Sequence, residues 1–163
     1  MVHSEAKCLC GASRISWDAE PLLKVLPLNS PSSSTHPQKH KLTHHQFRCH
    51  CRDERHLSGN GFSNNYLLDT TTLRTISGDA LKTWSTIVES GNNMTSHFCS
   101  TCGSLIYRTS TGYPGTFALK VGNVDDDGEA NRVYVPQVEI FTRTRVPWVK
   151  AVEGAKQEIA DFT

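Results

Sequence analysis

The six cysteines of this 163-residue chain come as three close pairs: Cys8-Leu-Cys10, Cys49-His-Cys51 and Cys99-Ser-Thr-Cys102. Disulfides within such pairs would be strained, whereas thiolates at these spacings converge on one metal ion. The N-terminal stretch is polar and lacks the apolar core of a signal peptide. A cytoplasmic chain is therefore expected, with thiols that stay reduced and act as ligands. Cys99-x-x-Cys102-Gly103 reads as a zinc knuckle, in which the glycine lets the backbone fold under the metal. A tetrahedral structural site needs two more ligands, and Cys8-x-Cys10-Gly11 is the most economical source. Cys8, Cys10, Cys99 and Cys102 are thus expected to hold one structural Zn2+. Such a clip contributes on the order of 10 kcal/mol to folding.

The remaining sequence predicts a mainly β fold, a compact antiparallel sheet structure with short helical turns, in a single domain over residues 1–163. Polar and apolar residues alternate over Ala12–Trp17, and further strands are expected over Phe62–Leu68, Leu73–Ile76, Leu81–Val88, Met94–Phe98, Leu105–Thr109, Phe117–Val121 and Val138–Thr142. Turn signals such as Ser77-Gly-Asp and Asp125-Asp-Asp-Gly separate them. Arg52–Leu57 is charged, free of Gly and Pro, and reads as a short helix ended by Gly59-Asn-Gly61. Pro21–Pro27 is an apolar stretch between prolines, and residues 29–46 lose all apolar periodicity and read as a loop insertion. A helical turn is expected in the tail after Ala151. Lys and Arg (17) nearly balance Asp and Glu (16), so no nucleic-acid partner is expected. No apolar run approaches the length of a membrane span, so no membrane partner is expected either. The sequence leaves the oligomeric state open.

The middle pair carries the chemistry. The segment Cys49-His-Cys51-Arg-Asp-Glu54-Arg-His56 resembles the middle motif of the glutathione-dependent formaldehyde-activating enzyme family, which also contains centromere protein V. Cys8-x-Cys10-Gly-Ala is similar to that family's opening motif, Phe98-Cys99-Ser-Thr-Cys102-Gly-Ser to its knuckle, Lys120-Val-Gly-Asn-Val-Asp-Asp126 to its central turn, and Pro136 to Trp148 to its closing segment. The resemblance implies a zinc-binding β fold and a second zinc, held by three cysteines, with an open position for chemistry. Here Cys49 and Cys51 stand at two of those positions and Glu54 at the third. Glu139 stands where many relatives carry histidine.

Three readings of Glu54 stay open: a zinc ligand through oxygen, since Cys51 and Glu54 lie three residues apart on one helical face; a general acid or base beside the metal; or a solvated charge at a lapsed site. His56 and His45 lie nearest the cysteines, and His56 is a candidate proton carrier. Arg143 and Arg145 are candidates for holding an anionic substrate. The expected activity is that of a zinc-dependent lyase or isomerase, performing elimination, dehydration, epimerisation or decarboxylation on a small oxygenated molecule of secondary metabolism. Its cofactors would be a structural and a catalytic Zn2+. The alternatives are a carbon–sulfur lyase acting on a glutathione adduct, which the resemblance implies, and a non-catalytic zinc-stabilised interaction module.

Overall fold

A computed structural model describes residues 2–19, 45–77, 81–125 and 134–162. The Pro21–Pro27 stretch, residues 29–44 of the expected insertion and Asp126 lie outside the described residues. Eleven strands and one helix run in the order β1 (Val2–Lys7), β2 (Arg14–Ala19), β3 (His45–Cys49), α1 (Arg52–Ser58), β4 (Ser63–Asp69), β5 (Leu73–Ser77), β6 (Leu81–Ile87), β7 (Asn93–Cys99), β8 (Leu105–Ser110), β9 (Thr116–Lys120), β10 (Val138–Ile140) and β11 (Lys156–Gln157). They form a three-stranded sheet, β1-β2-β5, and an eight-stranded sheet, β11-β10-β3-β4-β9-β8-β7-β6. The protein is mainly β, and the pairing is antiparallel except for β10, which runs parallel to both β3 and β11.

Alternation along the central strands sends two sets of side chains to opposite faces of the large sheet. One set, including Tyr66, Leu68, Tyr107, Phe117 and Leu119, packs against Ala6, Ile15 and Trp17 of the small sheet to make the main core. The opposite face is read from the register. Directly paired residues share a face, and Cys49 pairs with Ser63, Phe47 with Asn65, Asn65 with Lys120, Leu67 with Ala118, and Ala118 with Arg108. This face therefore carries a smaller apolar cluster (Phe47, Cys49, Leu67, Val138 and Ile140) beside a stripe of polar and charged groups.

Three local expectations change. Val2–Lys7 is a strand, and His45 and Gln46 belong to β3 rather than to a loop. Their polar sequences are tolerated because β1 and β3 take backbone hydrogen bonds from neighbours already in place. The tail forms the two-residue strand β11 in place of a helical turn, for the same reason: Lys156 N–H donates to Gln137 O and Glu158 N–H to Glu139 O. Among the described residues, no helix is long and apolar enough to cross a membrane.

Candidate functional site

Two tight turns, far apart in sequence, meet where the small sheet packs on the large one. In the first, Gly11 adopts φ 79° and donates its N–H to Cys8 O at 3.0 Å. In the second, Gly103 adopts φ 75° and donates to Cys99 O at 2.8 Å. Leu9 N–H donates to Ser104 Oγ at 3.1 Å and ties the turns together. The sulfurs of Cys8, Cys10, Cys99 and Cys102 all lie within 4.8 Å of one another. Cys8 and Cys10 Sγ are 3.5 Å apart, and Cys10 and Cys99 Sγ 3.8 Å. Zn–S bonds of about 2.3 Å place tetrahedral sulfurs about 3.8 Å apart, so the four cysteines fit a zinc ion. The charges agree. The Ser104 hydroxyl, and then its backbone N–H, bring the Cys102 thiol down to about 5. Cys10 is favoured as a thiolate by the Ala12 N–H, but the neighbouring Cys8 and Cys102 sulfurs push it up to about 12. Crowded thiolates repel, and a dication removes that repulsion.

The middle pair sits on the opposite face of the large sheet. Cys51 caps α1, its Sγ accepting from Glu54 N–H at 3.4 Å, and Gly59 closes the helix in the left-handed region with φ 64°. This turns Glu54 inward, to 5% exposure. Its carboxylate does not face a metal position. Oε1 accepts from Arg108 Nη1 at 3.0 Å, and Oε2 accepts from Ser63 Oγ at 2.7 Å and from Lys120 Nζ. Lys120 also donates to Asn65 Oδ1 at 2.7 Å. Burial alone would raise the Glu54 carboxyl, but the charges of Lys120 and Arg108, with the hydrogen bonds, bring it down to about 2. It is therefore ionised at neutral pH and a weak base. Among the described residues, the four-cysteine cluster is the group of three or more possible ligands gathered this closely. Glu54 so engaged supplies no third ligand to a zinc at Cys49 and Cys51.

Cys49 and Cys51 form a polarised pair. Burial pushes the Cys49 thiol up, whereas the Cys51 thiol is lowered, first by hydrogen bonding from Cys49 and also by the Glu54 N–H, against its own partial burial. Both line a cavity of ≈ 140 Å³ between the sheet face, α1 and the C-terminal segment. Phe47, Leu67, Met94, Ala118, Ile140 and Phe141 give it apolar walls, while Glu54 and Arg108 line it beside the thiols. Phe141 stands in the left-handed region at φ 55°, which lets β10 break into a helical turn at once. Arg108 is 2% exposed, and its Nε and Nη2 have no hydrogen-bond partner. Each such buried N–H costs about 1–3 kcal/mol. Exposed Arg52, Asp53 and Glu89, and half-buried Asp161, also border the cavity.

The other expected residues are placed elsewhere. His56, two positions beyond Glu54, points to the opposite, exposed side of α1 and does not line the cavity, because two helical residues turn about 200°. Arg143 pairs with Glu89 at 3.0 Å and Arg145 with Glu139 at 3.2 Å, so both are bound within the protein. His50 and Glu139 are fully buried and meet at 2.9 Å, with Glu139 also accepting from Val152 N–H and Gln157 Nε2. Sequence reasoning missed Arg108, Ser63 and Asn65, and saw Lys120 only as part of a turn. The legible signal was an arginine at an inward position of the apolar strand Leu105–Ser110.

Comparison with known proteins follows the same line. A family model described as glutathione-dependent formaldehyde-activating enzyme matches residues 36–144, well over half of the chain. A crystal structure of a Rhodobacter sphaeroides protein, solved as a structural-genomics target, is similar in fold, with 18% identity and a TM-score of 0.53 over 81% of this chain and 97% of that one. No protein with a curated description matches.

Proposed function

The chain belongs to the glutathione-dependent formaldehyde-activating enzyme family, and on that premise we propose that it is an enzyme whose active site is the cavity at Cys49, Cys51 and Glu54. The proposed activity is a lyase- or isomerase-type reaction on a small oxygenated organic molecule. The observation that carries this reading is the convergence of a polarised thiol pair and a buried cationic group on one apolar cavity. The cavity is close in size to one of about 150 Å³ that accepts benzene. It suits a small substrate, or the reacting end of a longer one such as a glutathione adduct.

In this reading Cys51 takes up or returns a proton at Sγ, with Cys49 holding it in place and sharing the proton. Glu54 holds Arg108 and Lys120, and the three charges leave this end of the site with one net positive charge. That charge stabilises the enolate-like anion formed when a bond beside a carbonyl breaks. The apolar walls exclude water and strengthen the effect. The zinc at Cys8, Cys10, Cys99 and Cys102 is structural, and a second zinc at Cys49 and Cys51 would supply Lewis-acid polarisation of a carbonyl.

The test is turnover of small carbonyl compounds and of the glutathione–formaldehyde adduct, followed by NMR, with wild type and Cys51→Ser in parallel. Serine is itself a good helix cap, so the fold is retained. A loss of about a hundredfold or more is expected. Unchanged turnover in Cys51→Ser would overturn the reading. Metal analysis of both proteins, giving one or two zinc ions per chain, decides whether a metal shares the site.

A further inference from the structure

Arg108 is held from one side only. Nη1 is taken by Glu54, whereas Nε and Nη2 are buried without partners. These two nitrogens carry the parallel N–H bonds along one edge of the guanidinium, the edge that grips the two oxygens of a carboxylate side by side. A guanidinium stays charged, so the edge calls for an anion rather than a neutral acceptor. The surroundings point the same way. Glu54 balances only one of the two cations it touches, and Lys120 is further occupied by Asn65. Asp53, Glu89 and Asp161 border the same cavity, but Asp53 and Glu89 are exposed, and Glu89 is paired with Arg143. Ser96, the cross-strand neighbour of Arg108 on β7, has a buried hydroxyl that is likewise without a partner.

We propose that the cavity recognises the carboxylate of a small organic acid through the Nε–Nη2 edge of Arg108, making Arg108 the residue that selects the substrate class. This rests on the reading of the cavity as the active site and narrows its substrate from an oxygenated molecule to a carboxylic acid with an apolar body. The acid's body lies along Phe47, Leu67 and Ala118. Glu54 acts through Arg108, fixing the direction in which the free edge points.

Direct binding separates this proposal from the catalytic one, because it needs no turnover. Benzoate and benzamide share shape and volume and differ in charge, so both are titrated into the purified full chain by NMR at fixed ionic strength. Benzoate is expected to bind at least about tenfold more tightly than benzamide, the value of a charge-assisted paired contact. Arg108→Gln should bring the two ligands within about twofold of each other. Arg108→Lys, which keeps the charge without the fork, should fall between and guards against a Gln variant that fails to fold. Equal binding of the two ligands to wild type, binding of neither, or an undiminished preference for benzoate in Arg108→Lys would overturn the proposal. Inorganic phosphate displacing benzoate more effectively than benzoate itself binds would also overturn it, in favour of a phosphate ester. If the preference for benzoate disappears in Arg108→Gln while Cys51→Ser turns over normally, the carboxylate site stands and the catalytic reading falls. The reverse pattern separates them the other way.

Discussion

Replacing Glu54 by glutamine keeps the size of the side chain but removes the carboxylate that Arg108 and Lys120 share. The carboxyl is brought from 4.5 to about 2 in the folded protein, which corresponds to about 3 kcal/mol of stabilisation at neutral pH. Because Glu54 is buried, solvent screening removes little of that. The folded value lies below the unfolded one, so this stability is fully present above pH 4.5 and is lost as pH falls toward 2. Glu54→Gln should therefore cost about 3 kcal/mol at pH 7, within the range for stranding a buried charge. The gap to wild type should shrink to about half by pH 3. Urea denaturation followed by tryptophan fluorescence at pH 7, 5 and 3 measures both the gap and its slope. A cost below about 1 kcal/mol at pH 7, or a gap that does not change with pH, would refute the reasoning. Loss of one bound zinc in the same variant would show that Glu54 is a metal ligand in solution.

Cys102→Ser, or treatment with a strong chelator, should remove one zinc ion and destabilise the fold by several kcal/mol, up to about 10, as read by metal analysis and thermal unfolding. Gly61→Ala places a Cβ 2.7 Å from the Trp148 ring and 2.9 Å from Val146; an overpacking cost of about 1–3 kcal/mol is expected from denaturation. Glu139→Gln leaves Arg145 and the buried end of β10 short of a counter-charge, and should cost about 3–5 kcal/mol in the same experiment. His56→Ala, on the exposed side of α1, should leave turnover and stability within about 0.5 kcal/mol of wild type.

The spacing of the cysteines and the alternation along Phe62–Leu68, Leu105–Thr109 and Phe117–Val121 were enough to read a mainly β protein clasped by Cys8, Cys10, Cys99 and Cys102. These features are local: a knuckle is a turn with two thiols, and a strand shows its period over a few residues. The helix after Cys51 was legible for the same reason, since its cap and its terminating glycine lie beside it in the chain. The strands Val2–Lys7 and His45–Cys49 were not, because their polar sequences become strands only when neighbours offer a ladder of hydrogen bonds.

The second cluster divides the two kinds of knowledge most sharply. Sequence alone determined that Cys49, Cys51 and Glu54 stand together at one turn of a helix, and left open what the glutamate does there. Its role depends on Ser63, Arg108 and Lys120, which arrive from β4, β8 and β9 through cross-strand register. A charge 54 or 66 residues away leaves no mark on local periodicity, yet at hydrogen-bond distance it decides whether a carboxylate binds metal, moves protons or holds an arginine. Electrostatic partnership is a property of distance in space, and only the packed sheet fixes that distance.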